Sequence, residues 1–229
     1  MENKQKWTKE QVLKKCPLFR GIADQELGAM LACMKASTRT YRKGEVILLE
    51  GDPATHLGVV LSGRVTIVRN DYYGNTTVVH TKKQGQLFGE AFACSSLEEL
   101  PVSVEAAEDS EVMLIDARRI MNTCENGCGF HQQLIFNLLQ IVAQNNVFMN
   151  QKMDIITKKT TKEKLMAYLM TEAKAQGSTS FDIDFDRQQL ADYLGVERSA
   201  MSTELSKLAR AGYLTVDRRH FTILKELEQ

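Results

Sequence analysis

Arg187-Gln-Gln-Leu-Ala-Asp-Tyr-Leu-Gly-Val-Glu-Arg-Ser-Ala-Met-Ser-Thr-Glu-Leu-Ser206 decides how the C-terminal part of this chain folds. The spacing predicts two short helices joined by a tight turn. Asp186 stands where a side chain caps the first helix, with Gln189 three residues on to return the bond. Leu190 and Leu194 fall one turn apart on the face to be buried, and Ala191 is small where a crossing helix must come close. Gly195 lies at the exit from the first helix, where a left-handed residue is needed. Val196 plugs the corner, and Met201, Leu205 and Leu208 carry the apolar stripe along the second helix. Arg198, Ser199, Ser202 and Thr203 are left facing outward: one guanidinium and short hydroxyls, the groups a recognition helix offers to base edges. An apolar i, i+4 stripe alone describes any helical hairpin. The small residue, the glycine and the corner plug at fixed offsets single out a helix-turn-helix. Glu204 departs from that pattern, which usually has an apolar residue there, so Leu205 is expected to fill the seam.

The flanks complete a winged helix. Ser180–Phe185 alternates apolar and polar residues as a half-buried strand does. Gly212–Val216 and Phe221–Leu224 read as a hairpin around the basic turn Asp217-Arg-Arg-His220. Arg218 and Arg219 are placed to reach phosphate or the minor groove, though solvated turn residues would look the same. Lys207 and Arg210 add charge to the reading helix, and Lys158, Lys159, Lys162 and Lys164 cluster at the entrance to this domain.

Charge limits what kind of DNA binder this is. Among 229 residues the 29 basic and 29 acidic side chains cancel, and from Lys152 onward there are thirteen basic against twelve acidic. A charge-driven, non-specific binder is therefore not expected, whereas a sequence-specific dimer is compatible with local positive patches. A hydrophobic content of 43% suffices for two cores. No apolar run is long enough to span a bilayer, and the N-terminal MENKQKWTKE is too polar for a signal peptide. Five irregularly spaced cysteines do not form a secreted disulfide framework. A soluble, cytoplasmic protein with no membrane partner is the expectation.

From Tyr41 to Asp116 the chain shows short β-rich runs: Val46–Leu49, Gly58–Leu61, Val65–Val68, Thr77–Val79 and Val112–Ile115. Gly44, Gly51, Gly63, Gly74 and Gly85 sit at the corners. That rhythm indicates an antiparallel β-roll or jelly roll. Thr8–Cys16 and Asp24–Met34 precede it as short amphipathic helices. A cupin metal site would need two close histidines and a following glutamate; Gly51–Gly58 has His56 alone, and His80, His131 and His220 are scattered. No metal site and no enzyme follow from such a set.

Between roll and winged helix, Phe130–Thr157 repeats apolar pairs every seven residues: Leu134/Ile135, Ile141/Val142, Phe148/Met149 and Ile155/Ile156. Leu138, Asn145 and Lys152 fall midway. A heptad repeat keeps one seam facing a partner helix, so a parallel two-fold dimer is expected. Leu134, Leu138, Ile141, Val142, Asn145, Phe148, Met149 and Ile155 would form that seam, with Asn145 fixing its register. The domains then run 1–128 (β-roll), 129–157 (dimer helix) and 158–229 (winged helix), in the α+β class.

In this order, and with Arg42-Lys-Gly-Glu45, Phe88-Gly-Glu90 and the helix-turn-helix, the chain resembles transcription regulators of the cyclic AMP receptor protein/FNR (CRP/FNR) superfamily over nearly its whole length. The resemblance implies a homodimer on palindromic double-stranded DNA, RNA polymerase as a further partner, and a signal read in the β-roll that reorients the reading heads. In the cyclic-nucleotide binders of that superfamily, a Gly-Glu pair opens a cassette closed eleven residues later by Arg-Ser or Arg-Thr. The glutamate holds the ribose and the arginine the cyclic phosphate. Gly89 and Glu90 are present here, but Leu100 and Pro101 occupy the closing positions. An unneutralised phosphate loses its strongest contact, and proline offers no amide, so ordinary cyclic AMP is not the expected signal.

Iron–sulfur members cluster N-terminal cysteines, which Cys16 and Cys33 do not; haem has no placed histidine to ligate it. Cys124 and Cys128 pair at a spacing that suits a thiol switch, although reduced structural thiols are the simpler reading. The expected effector is a small organic molecule near Phe88, Gly89, Glu90, Leu100, Pro101, Val102, Asn145, Met149 and Asn150. The reading helix lacks the superfamily's Arg-Glu-x-x-x-Arg set and keeps Arg198 as its guanine reader. Two functions follow: an effector-responsive transcription regulator, or a ligand-binding signalling module that controls a protein partner.

Overall fold

The computed structural model describes residues 7–70, 76–122 and 129–225. The chain divides into two compact units, Met1–Gln144 and Asn145–Gln229. The first contains α1 (Lys9–Lys15), a 3-10 turn at Pro17–Phe19, α2 (Asp24–Cys33), β1 (Ser37–Tyr41), β2 (Val46–Leu48), β3 (His56–Ser62), β4 (Arg64–Asn70), β5 (Thr76–Lys83), β6 (Leu87–Phe88), α3 (Glu90–Ala93), β7 (Ser103–Ala106), β8 (Ser110–Asp116) and α4 (Ala117–Met121). The long helix α5 (Phe130–Ile156) runs from the first unit into the second.

Two four-stranded antiparallel sheets, ordered β1-β8-β3-β6 and β2-β7-β4-β5, form the roll. Ile47, Val60, Ile67, Phe88, Val104 and Val112 are among the side chains packed between them. The opposite face of β3 and β8, with Leu57, Val59, Met113 and Ile115, packs with Leu13, Leu18 and Met30 of the N-terminal helices and with Leu134 of α5. Burial on both faces explains why Gly58–Leu61 and Val112–Ile115 read as continuous apolar runs without alternation. Gly58 is required by close approach: a Cβ there would overlap the Phe88 ring. The sequence placed the start of the roll at Tyr41, but β1 begins at Ser37 and pairs with β8 from Ser37↔Leu114 to Tyr41↔Ser110. Its polarity hid it, because an edge strand with little burial needs no apolar signature.

The second unit holds α6 (Thr161–Gln176), β9 (Ser180–Asp182), α7 (Arg187–Leu194), α8 (Arg198–Arg210), β10 (Leu214–Asp217) and β11 (His220–Ile223). The sequence patterns carried no expectation for α6. It opens on a capping box, in which the Thr160 hydroxyl accepts from the Glu163 amide at 3.2 Å and the Glu163 carboxylate accepts from the Thr160 amide at 3.2 Å. Leu165, Met166, Tyr168 and Leu169 are its buried face. They join Leu190, Leu194, Met201, Leu205, Leu208, Phe181 and Phe221 in one core. A three-stranded antiparallel sheet, β10-β11-β9, closes the unit.

Candidate nucleic-acid interface, sensor site and dimer seam

The turn between α7 and α8 is built as its residues dictate. The Asp186 carboxylate accepts from the Gln189 amide, and the Gln189 side-chain oxygen accepts from the Asp186 amide, each at 2.9 Å. Gly195 takes φ +61°, and the Val196 amide donates back to the Ala191 carbonyl at 3.1 Å, closing the helix end. Helix α8 then starts at Glu197, whose side chain makes no cap bond. The first amides of α8 are thus left without a side-chain cap.

Met201, Leu205 and Leu208 are buried, while Arg198, Ser199 and Thr203 are exposed and Ser202 is half-buried. The Thr203 hydroxyl donates to the Ser199 carbonyl at 2.9 Å, one turn back along the helix. Glu204 is half-buried and accepts from Lys207 Nζ at 2.7 Å. That pair lets an acid sit at the position where the motif usually carries an apolar residue, and it directs Lys207 back along its own helix.

Two lysines of the N-terminal cluster serve the fold. Lys164 Nζ donates to the Leu194 carbonyl at 3.4 Å, at the end of α7, and Lys162 lies over the Tyr213 ring at 5.4 Å. The wing turns at Arg218, which holds φ +52°, with Arg219 beside it and both exposed. An aromatic cluster of Tyr168, Phe185 and Tyr193 has ring centroids 5.2–6.1 Å apart, and Lys152 of α5 lies over Tyr193 at 4.9 Å. Burial, then the nearby Glu172 charge, pushes the Tyr168 hydroxyl above its usual range, so this ring stays neutral. With Ile155 buried in the same core, the last turns of α5 are anchored to the reading head.

In the roll, Gly89 takes φ +77° and opens α3, and Glu90 is buried at 5% exposure. Leu100 and Val102 are buried and Pro101 half-buried. The Leu100 amide donates to the Asp52 carbonyl at 2.8 Å, and its carbonyl accepts from the Gly51 amide at 2.9 Å. Phe88 fills the space between the sheets. Of the two positions that close the nucleotide cassette in the proteins this chain resembles, Leu100 is here buried and paired to the loop, and Pro101 is half-buried. Asn145, Met149 and Asn150 are exposed on α5 in the second unit.

The thiols fit a structural role. Burial raises Cys16 from 9.0 to about 11, and burial together with the Glu90 charge raises Cys94. Cys124 and Cys128 lie outside the described residues.

Helix α5 divides the expected seam residues between buried and exposed positions. Leu134, Leu138 and Ile155 are buried in the chain's own cores, and Ile141 packs on the first of them. Leu134, Leu138 and Ile155 are thus taken up by the chain's own cores, and Ile141 is half-buried. A row spaced four and three apart is exposed at Ile135, Leu139, Asn146, Met149 and Met153 and half-buried at Val142 and Ile156. Leu139 is 64% exposed and Met149 46%. Val142 and Met149 belong to this row; Phe148 is exposed but off it. The polar position in the row is Asn146, whose side-chain oxygen accepts from Asn150 at 2.9 Å, in place of Asn145.

Comparison with known proteins bears on both units. Residues 38–126 match the cyclic nucleotide-binding domain family and residues 163–228 the Crp-like helix-turn-helix domain family. The chain is 24% identical over 220 residues to the cyclic AMP receptor protein of Thermus thermophilus, covering 94% of this chain and 98% of that one. The crystal structure of the catabolite activator protein from the same organism superposes with a TM-score of 0.53 at 24% identity, covering 90% of this chain and 93% of that one. The c-di-GMP-responsive global regulator CLP of Xanthomonas campestris gives 0.58 at 17% identity, covering 89% and 100%.

Proposed function

We propose that this chain, which belongs to the CRP/FNR superfamily of transcription regulators, reads a palindromic operator as a homodimer under a signal other than ordinary cyclic AMP. The observation that carries the reading is the division of α8. Its buried stripe welds it to the core, and Arg198, Ser199 and Thr203 stand outside beside an uncapped helix start. Arg198 is the guanine reader; Arg218 and Arg219 grip phosphate from the wing, and Lys207 supports from the helix. The dimer forms along Ile135, Leu139, Val142, Asn146, Met149, Met153 and Ile156, with a half-site for each copy.

Burial of Leu100 and Val102 supports an effector that needs no phosphate clamp, held near Phe88, Glu90 and Pro101. The domains proposed are the β-roll to residue 128, the dimer helix 129–157 and the winged helix 158–229. The protein acts on double-stranded DNA in the cytoplasm, with RNA polymerase as a further partner, and carries out no catalysis of its own. Among the described residues no helix is long and apolar enough to cross a membrane, and no group of three or more metal-ligating side chains is found.

The test is selection of bound duplexes from a random DNA pool by the purified protein, with and without a metabolite mixture. An inverted repeat is expected, with enrichment that depends on the metabolites. A folded dimer that enriches nothing would transfer the function to control of a protein partner.

A further inference from the structure

Between Phe130 and Val142, helix α5 carries two apolar rows side by side. The inner row, Leu134, Leu138 and Ile141, packs in the core beneath β3 and β8. The outer row, Ile135, Leu139 and Val142, lies one residue further round, so turning the helix by roughly 100° would exchange the two. The rows differ by a single methylene in aliphatic content. The free energy of leaving water scales with apolar area and has no direction, so it hardly tells them apart. A choice between them calls for contacts that depend on direction.

Asn137 supplies such contacts. It lies at the edge of the inner row, three residues on from Leu134, and is only 3% exposed. Its Nδ2 donates to the carbonyls of Leu18 and Arg20, each at 2.8 Å, and its Oδ1 accepts from Gln133 Nε2 at 2.9 Å. Leu18 and Arg20 belong to the 3-10 turn after α1 and its cap, and that turn is fixed in the same core by Leu18 and Phe19. Both amide hydrogens of Asn137 are thus committed to a bend anchored on the roll, and its oxygen to the preceding turn of its own helix. Gln133 is itself held against that bend: its Cδ is 3.5 Å from the place a Cβ would take on Gly21, which holds φ +80°.

We propose that Asn137 is the positioning residue that sets the rotation of α5 on the β-roll, and with it the apolar row left free for a second copy of the chain. Turning α5 to the outer row moves each Cα about 3.5 Å round the axis, which carries the Asn137 amide out of reach of both carbonyls. Those carbonyls would then lie under the helix without their donor, and packing of the outer row does not make good that loss. The residue does here what an asparagine does in a coiled-coil seam: it adds little net stability and decides among arrangements of similar apolar content. The selection of the row stands on contacts within one chain; its consequence for the dimer rests on the reading proposed above.

The test follows, in the full chain, the δ1 methyl NMR signals of Ile135 and Ile141, one reporter in each row. The wild type is expected to give one signal for each. Asn137→Leu removes the bonds and keeps the bulk. It is expected to give each reporter a second position, resolved or in exchange, at about a fifth of the intensity or more, because one methylene separates the rows by only about fourfold. Leu138→Ala keeps Asn137 and strips the inner row of most of a leucine side chain, so that apolar content alone would favour the outer row. It is expected to melt earlier with one signal for each reporter, and the double variant to move the main signal to the second position. Single, unmoved signals in Asn137→Leu, or an exchange of rows in Leu138→Ala, would overturn the inference. Should Asn137→Leu not fold, Leu138→Ala decides alone. A wild type that sediments as a monomer would overturn the dimer reading and leave the choice of row to be judged by the methyl signals.

Discussion

In the winged helix, the residues the fold needs and those that would meet DNA lie on opposite faces of the same elements; in the β-roll, of the two positions where the resemblance expects a nucleotide phosphate clamp, Leu100 is buried and Pro101 half-buried. On α8, Met201, Leu205 and Leu208 face in while Arg198, Ser199 and Thr203 face out. In the cassette of the roll, Leu100 and Val102 are buried, with the Leu100 backbone paired to the loop at Gly51 and Asp52. A surface that stays polar and outward keeps its chemistry available. A binding site whose charged member becomes apolar can keep the fold, because the scaffold is held by packing that the ligand never supplied; the proposed change of ligand follows from that. The two units of one chain therefore speak to function with different force: the reading head through its side chains, the sensor mainly through what it lacks.

The largest effect expected is at the helix that the two units share. Leu139→Asp combined with Met149→Asp places like charges across the proposed seam and should convert the dimer to monomers by sedimentation, with operator affinity falling more than about 100-fold. Both positions are exposed in the single chain, so each unit should still fold as a monomer, its melting lowered only by the lost association. The contrast is Leu134→Ala, one residue from the seam, which should cost the β-roll roughly 2–5 kcal/mol and leave the dimer intact in the cold. A monomer from Leu134→Ala would restore the seam read from sequence.

Next is Arg198→Ala, expected to weaken operator binding by about 1–3 kcal/mol, roughly 5- to 150-fold, and to relax preference at one base position. Thermal melting should stay put, since the side chain is outside the core. Retained affinity in a binding titration would mean that the outward face of α8 is not the reader.

Of similar size is an alkaline loss of the stability that Cys16 gives the roll, separate from the one that the raised Tyr168 hydroxyl gives the winged helix. The Cys16 thiol is raised from 9.0 to about 11 by burial, so the folded state holds the neutral form more tightly than the unfolded chain does. The resulting stability, roughly 2–3 kcal/mol, is fully present below about pH 9 and is lost as pH rises toward about 11. Denaturant melts across that window should slope for the wild type and flatten for Cys16→Ala, with the winged helix indifferent to the change.

The smallest expected effect is none. Millimolar cyclic AMP should leave the melting of the roll unchanged. A ligand at 100 times its Kd would add about 2.7 kcal/mol and raise the midpoint by several degrees. A clear upward shift would show that Leu100 and Pro101 do not govern the phosphate site, and the contrast between the two units would then collapse.

How much was legible from sequence follows the range of the signals. The capping box at Asp186 and Gln189, the left-handed Gly195 and the stripe on α8 are each written within a few residues, and all three are found where expected. The glycine-cornered roll was equally plain, since β3 and β8 are apolar throughout. Strand β1 was missed because a polar edge strand, Ser-Thr-Arg-Thr-Tyr, is recognised only by its pairing with β8. Helix α6 gave no expectation, although Thr160 with Glu163 spells its cap and Gly177 its end. The lysines at its start read as a DNA-facing cluster, but two of them are occupied by a helix end and a ring.

The sequence by itself determined the order of the parts: two helices, an antiparallel roll, a long helix and a winged helix-turn-helix, because turn residues, caps and periodicity act locally. Only the tertiary structure decided which stripe of α5 each core claims. A heptad of apolar pairs offers two adjacent rows of similar hydrophobicity. The roll takes Leu134 and Leu138, the winged helix takes Ile155, and Ile135, Leu139, Met149 and Met153 stay outside. The same holds for Asp182, His220 and Asp217, which become one row only through the register of β9, β11 and β10. Periodicity fixes how side chains are spaced along an element; which side meets another element is set by packing between residues far apart in the chain, where burying one row excludes the other.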